Sequence, residues 1–145
     1  MKLLQETAVG TAPATVRKRV VAFETWREWI PGLVDLEVDP QPDGHTDIVM
    51  ALQAPRQLQL RIAVEPTDTG FRFALVEGDV STASGELTVS GKGRKSRLVL
   101  ELELEFPVRI PGALLRELEE ETLPRWLAAL ADSVSPPRKP PARRR

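Results

Sequence analysis

The sequence feature that most constrains the fold is the apolar pattern of residues 112–134, the last long pattern in the chain. Leucine, tryptophan and valine recur there at intervals of three and four residues, which predicts a helix with a broad apolar face. Residues 97–106 alternate just before it, with leucines and Phe106 on one face and glutamates mainly on the other, which predicts a long strand. We therefore expect the helix to fold back over a sheet that has one apolar, buried face.

The chain begins with a predicted strand and helix. Residues 2–12 include an alternating segment that reads as a strand, and it ends before Pro13. Proline suits the first turn of a helix because its φ is fixed and its missing N–H would be unsatisfied there anyway. The predicted helix continues to about Phe23. Its basic residues 17–19 are either a solvated face or a docking patch.

A second short helix is predicted around two tryptophans. Trp26 and Trp29 fall at helical spacing, and Pro31 ends the segment. Thr25 and Glu28 match the spacing of a capping box. Two large rings in so short an element cover more surface than the element needs for itself, so they either pack in the core or contact a bound ligand.

From Leu33 onward the apolar period changes to two, and turn residues separate the runs. The predicted strands are Leu33–Asp39, His45–Ala54, Gln57–Pro66, a run from Phe71, Ser84–Ser90 and Arg97–Phe106. Short turns without helical crossovers indicate an α+β fold with a meandering antiparallel sheet. We expect seven curved strands wrapped around the long C-terminal helix, with two short helices between strands 1 and 2. Pro124 should remove one hydrogen bond from that long helix and kink it.

Composition divides the 145 residues into a domain, 1–134, and a tail, 135–145. The tail has four prolines and five cations, which predicts disorder. The chain has a net charge of −1, so without those five cations the body carries −6, which disfavours nucleic-acid binding except through the tail. Two interpretations of the tail remain: it contacts anionic lipid or RNA, or it has no function.

Other features predict a cytoplasmic protein. There is no cysteine, which fits a reducing compartment. No apolar run reaches the roughly 18 residues that a membrane span needs, and the start, MKLLQETAVG, turns polar too soon for a signal peptide.

Candidates for chemistry are few. One histidine without cysteines predicts no metal site, and no glycine loop has phosphate-binding spacing, so no cofactor is expected. His45, in or next to a hairpin turn, is either a general base at a cavity rim or a solvated residue. Glu77 would point inward if its strand ran straight, and otherwise it is an exposed acid. Gly78 beside it is a place where the strand can bend.

The element order resembles the START-like (helix-grip, SRPBCC) superfamily, of the polyketide cyclase/dehydrase or coenzyme Q-binding type. Three segments carry the likeness: FETWREWIPGLVDLEV (23–38), VEGDVSTASGELTV (76–89) and TLPRWLAALADSV (122–134). Leu87 departs from the pattern, because an aromatic residue is common there in the superfamily. The likeness covers residues 1–134.

This resemblance implies a deep apolar cavity between sheet and C-terminal helix, used by relatives to hold lipids, quinones or polyketides. Small residues at Ala74, Ala83 and Gly85 would leave room in it, although such residues also fit a tightly curved sheet. The predicted ligand-binding residues are the inward-facing large side chains Trp26, Trp29, Met50, Leu60, Ile62, Phe71, Phe73, Leu87, Leu102, Leu115, Leu118 and Trp126.

Three functions follow as hypotheses. The first is binding or carriage of a hydrophobic small molecule such as a lipid, quinone or polyketide. The second is an enzyme of the cyclase or dehydratase type, which needs polar groups inside the cavity. The third is association with a ribosome or RNA through the basic tail and residues 17–19. Nothing in the sequence predicts the oligomeric state.

Overall fold

The computed structural model describes residues 2–53, 57–106, 109 and 111–134. The predicted tail, 135–145, and most of the turn before the last helix lie outside these residues. The strands are β1 (Lys2–Val9), β2 (Leu33–Pro40), β3 (Thr46–Gln53), β4 (Gln57–Pro66), β5 (Gly70–Gly78), β6 (Thr82–Lys92) and β7 (Lys95–Glu105). The helical segments are α1 (Pro13–Val20), a 3-10 turn (Phe23–Thr25), α2 (Trp26–Trp29), α3 (Gly112–Glu117), a π turn (Leu118–Thr122) and α4 (Leu123–Val134). We call the continuous run of α3, π turn and α4 the C-terminal helix.

The seven strands form one antiparallel sheet in the order β1-β7-β6-β5-β4-β3-β2. Each strand from β2 to β7 pairs with the next in sequence, and β1 returns to pair with β7. Helix α1 packs on β5, β6 and β7, while α4 packs on β1 and α2. The α+β prediction, with seven strands curved around the C-terminal helix and two short helices after β1, is confirmed.

The alternation of apolar and polar residues decides which face of the sheet is buried. In β3 the side chains of Ile48, Met50 and Leu52 are buried, while those of Val49 and Gln53 are exposed. In β7 the leucines face inward and Glu101 and Glu105 face solvent. Because side chains alternate along a strand, one inner apolar face collects the rows predicted from the sequence.

The predicted capping box at α2 is wrong. Thr25 already has helical torsion angles (φ −81°, ψ −6°) and makes no capping hydrogen bond. The reason is the preceding 3-10 turn, which Thr25 completes by donating from Oγ1 to the Ala22 carbonyl at 2.6 Å. Glu28 instead forms an ion pair with Arg19 at 3.6 Å.

Proline inside the C-terminal helix is accommodated by a π turn. The Leu123 N–H donates to the Leu118 carbonyl, five residues back. The same spacing would next join residue 124 to the Glu119 carbonyl, but Pro124 has no N–H to donate. Gln5 of β1 supplies the missing donor, with its Nε2 2.8 Å from the Glu119 oxygen. The lost backbone hydrogen bond that the sequence predicts is thus replaced by a side chain from the sheet.

Candidate ligand-binding cavity

A cavity of about 150 Å³ lies between the inner face of the sheet, α2 and the C-terminal helix. The side chains that line it are all apolar: aliphatic residues, phenylalanines, tryptophans and one methionine. They come from α2, from the five strands β3 to β7 and from all three parts of the C-terminal helix. The alternation of each strand and the apolar stripe of the helix therefore converge on one space.

One end of the fold is packed with aliphatic side chains that do not line the cavity. Val16 and Val20 of α1 are fully buried, as are Val64 of β4 and Leu98 of β7. Helix α1, which carries the two valines, packs on β5, β6 and β7.

The opposite end is lined by partly exposed apolar residues. Leu58 stands at the start of β4, Leu104 near the end of β7, and Phe106 just after it. Leu114 and Leu115 of α3 face them and are also partly exposed. All five line the cavity, so the cavity wall is partly exposed to solvent at this end.

An aromatic cluster forms the wall next to α2. The Trp26 ring lies 5.3 Å from Phe71 and 6.1 Å from Trp29, measured between ring centres. Phe23 packs edge-on against Trp26 at 5.4 Å. Trp26 is fixed further by its Nε1, which donates to the Val20 carbonyl at 3.1 Å. The prediction that the tryptophans pack in the core is confirmed. Both also line the cavity, and their contact with a bound ligand stays a prediction.

The structure places all twelve predicted ligand-binding residues along this wall; that they contact a ligand stays a prediction. Sequence reasoning missed other lining residues that belong to the same alternating rows or helical stripe, or directly follow Trp29. These are Ile30, Leu52, Leu58, Leu100, Leu104, Phe106, Leu114, Leu123, Leu127 and Leu130. Val80 also lines it, and no periodic signal marked this residue because it follows the end of β5.

The small residues predicted to leave room behave differently from one another. Ala83 is buried and lines the cavity. Ala74 is exposed on the outer face. Gly85 leaves no room at all, because the Phe73 ring lies where a side chain would start. Only Ala83 contributes space.

Neither candidate for acid–base chemistry lines the cavity. A bulge leaves Val76 as an extra residue in β5, since Arg61 pairs with Glu77 and Ile62 with Leu75. The bulge turns Glu77 outward, where its side chain is 74% exposed and lies 4.0 Å from Arg61. An inward strand position for Glu77 is therefore wrong.

His45 lies in the β2–β3 loop, on the outside of the sheet. Its Nε2 is 3.2 Å from Asp47 Oδ1, and its Nδ1 contacts Asp43. The backbone N–H of His45 donates to Asp43 Oδ1 at 3.2 Å, and this bond lowers the pKa of the Asp43 carboxyl. The ring serves the hairpin turn and does not reach the cavity.

Within the described part of the chain, no group of three or more histidine, aspartate or glutamate side chains is arranged to hold a metal ion. None of the helices in that part is long and apolar enough to cross a membrane.

A curved antiparallel sheet that closes over its C-terminal helix and leaves an apolar cavity between them defines the helix-grip class of START-like proteins. Residues 9–131 match the family model described as polyketide cyclase / dehydrase and lipid transport. The chain belongs to this family, and the resemblance found in its sequence is confirmed. No curated protein sequence matches the chain significantly.

Solved structures share the fold at low sequence identity. The protein TTHA0849 from Thermus thermophilus is 23% identical, with a TM-score of 0.80 over 92% of this chain and 97% of that one. A START superfamily protein from Mycobacterium smegmatis is 19% identical, with a TM-score of 0.80 over 92% and 96% of the two chains. An aromatase/cyclase from Streptomyces sp. R1128 is 13% identical, with a TM-score of 0.78 over 92% and 93%.

Proposed function

We propose that this protein binds and carries an uncharged hydrophobic small molecule in the cavity between sheet and C-terminal helix. The observation that supports this best is the uniformly apolar wall, which surrounds a space at the centre of the fold. Apolar cavities stay free of water, because a water molecule needs two to four polar partners. An apolar guest loses nothing there in hydrogen bonding and gains the free energy of leaving water.

The volume limits the guest. An engineered protein cavity of about 150 Å³ with a similar lining stays dry and binds benzene, and the present cavity has the same volume. A single ring therefore fits without rearrangement. A lipid or quinone with a long chain would extend past Leu104 and Leu115 at the partly exposed end.

The alternative is that the protein is an enzyme of the cyclase or dehydratase type. The family description and the similarity to the Streptomyces aromatase/cyclase suggest it. General acid–base catalysis needs a titratable group within hydrogen-bond reach of the substrate. No titratable side chain lines the cavity in the residues that the structure describes, and Glu77 and His45 lie outside it. This favours binding over catalysis. The hypothesis of RNA association rests on the tail, which lies outside the described residues, and on residues 17–19. Of the latter, Lys18 is exposed and Arg19 pairs with Glu28 at 3.6 Å, and the hypothesis stays a prediction.

A cavity-filling variant tests the proposal, with a matched control one strand away. Ala83→Leu on β6 puts three additional carbons into the cavity, whereas Ala74→Leu on β5 puts them on the exposed outer face. We expect the wild type and Ala74→Leu to bind toluene or a related single-ring compound in calorimetry, and Ala83→Leu to lose this binding.

Circular dichroism and thermal melting of both variants establish that they are folded. Unchanged binding by a folded Ala83→Leu would place the ligand elsewhere. Failure of the wild type to bind any of a panel of single-ring, lipid and quinone compounds would refute the proposal.

A further inference from the structure

Trp29, a residue that lines the cavity, carries a buried polar group that has no partner. The indole Nε1 of Trp29 is buried and forms no hydrogen bond within the described residues. The whole side chain is only 8% exposed, so water does not reach it freely. Buried donors are almost always paired in folded proteins, and an unpaired one calls for an explanation.

The other two tryptophans of the wall differ from Trp29. Trp26 is equally buried, but its Nε1 donates to the Val20 carbonyl at 3.1 Å. Trp126 is partly exposed. Among the described residues, the side chains that line the cavity with Trp29 are apolar and offer no acceptor. Trp29 also lines a surface depression with Glu28, Asp132 and Ser133, but its Nε1 forms no hydrogen bond there either. The indole N–H of Trp26 therefore has a hydrogen-bond acceptor, whereas that of Trp29, three residues later, has none among the described residues.

From this we infer that Trp29 is a hydrogen-bond donor subsite, which selects guests that carry an uncharged oxygen acceptor such as a ketone, aldehyde or ether. The inference rests on the proposed function and narrows the class of ligand. An oxygen that accepts from Nε1 removes the cost of the unpaired donor, which an all-hydrocarbon guest leaves in place. A carboxylate does not suit the subsite, because no cation among the described residues lines the cavity to replace its lost hydration.

Acetophenone and isopropylbenzene make a matched pair of probes. They have the same ring and nearly the same shape, but a carbonyl oxygen in the first takes the place of a methyl group in the second. In the wild type labelled with ¹⁵N, three indole N–H signals are expected, one from each tryptophan. We expect acetophenone to shift the Trp29 indole proton downfield, as a new hydrogen bond does, and isopropylbenzene to leave it without this shift.

A pair of variants measures the selectivity. We expect Trp29→Phe to lower the preference for acetophenone over isopropylbenzene, taken as the ratio of their Kd values, by about threefold to tenfold, the range for one net hydrogen bond. Ala74→Leu is the control, since Ala74 lies on the exposed outer face and does not line the cavity, and we expect its ratio to equal that of the wild type.

The outcomes separate the two claims. If the wild type binds neither probe, the proposed function fails and the subsite fails with it. If both probes bind, but the Trp29 proton responds equally to each and Trp29→Phe keeps the wild-type ratio, the cavity is a ligand site and the donor subsite is refuted. Should Trp29→Phe not fold, the comparison of the two probes on the wild type decides alone.

Discussion

Gly85 shows how one residue sets the shape of the sheet next to the cavity. A Cβ on Gly85 would lie 2.5 Å from the Glu101 carbonyl oxygen and 2.8 Å from Cε1 of Phe73. Both distances are shorter than contacts between such atoms in folded proteins. The absent side chain lets Phe73 lie flat across β6, where the ring forms part of the cavity wall.

Gly85→Ala should therefore destabilise the protein by about 1–3 kcal/mol, the usual cost of adding a methyl group to a filled site. The clash with a backbone oxygen cannot be relieved by a rotamer change. Urea unfolding measures the free energy, with Gly10→Ala as the control, because nothing lies within 4 Å of a Cβ at Gly10. Equal stability of the two variants would show that β6 shifts at no cost.

Among the elements, the C-terminal helix has two unlike halves. No side chain of α3 is buried, whereas α4 buries Leu123, Leu127 and Leu130. The π turn lies between them, and a helix with few buried contacts opens at lower free energy than one that is anchored in the core. Since α3 lines the partly exposed end of the cavity, we expect it to be the part of the wall that a large guest would displace most easily.

The bond from Gln5 to the Glu119 carbonyl ties this turn to β1. Gln5→Ala should cost about 0.5–1 kcal/mol, the net value of one hydrogen bond near the surface. In a Pro124→Ala background the cost should fall toward zero, because residue 124 then has its own N–H for the same carbonyl.

A double-mutant cycle in urea measures this coupling. Gln53→Ala, at an exposed strand position, is the control for both backgrounds. An equal cost of Gln5→Ala with and without Pro124 would show that the two residues do not share the Glu119 carbonyl.

Most of these elements could be predicted, because period two and period 3.6 assign each run of residues to a strand or a helix and to a face. The same periods placed the twelve predicted residues on one wall, as at Met50 and Leu60. Prediction failed where backbone hydrogen bonding broke the period. The bulge at Val76 turned Glu77 outward, and the 3-10 turn before α2 used Thr25 for another bond. Whether the Trp29 Nε1 finds an acceptor depends on neighbours distant in sequence, so no local sequence pattern could predict that it is unpaired.

At the scale of the whole molecule, the sheet separates the charged side chains from the apolar cavity. The ion pairs among the described residues lie on the outer face or at turns and helix surfaces, as with Arg61 and Asp47 at 3.3 Å and Arg72 and Glu65 at 3.0 Å. The inner face of the sheet lines the apolar cavity. A binding event inside should therefore leave the outer charges unchanged.

Binding of a neutral guest should then be independent of pH. We expect the Kd of toluene or acetophenone to vary by less than about twofold between about pH 5 and 8, because no titratable side chain of the described residues lines the wall. Asp43 stays ionised throughout, since the His45 N–H holds the pKa of its carboxyl below the ordinary value of 3.8. The favourable hydrogen bond from the His45 N–H to the Asp43 carboxylate is lost only in stronger acid, as the pH falls through that lowered pKa. Calorimetric titrations across the range measure the Kd, and a Kd that changes by more than this factor would contradict an uncharged site.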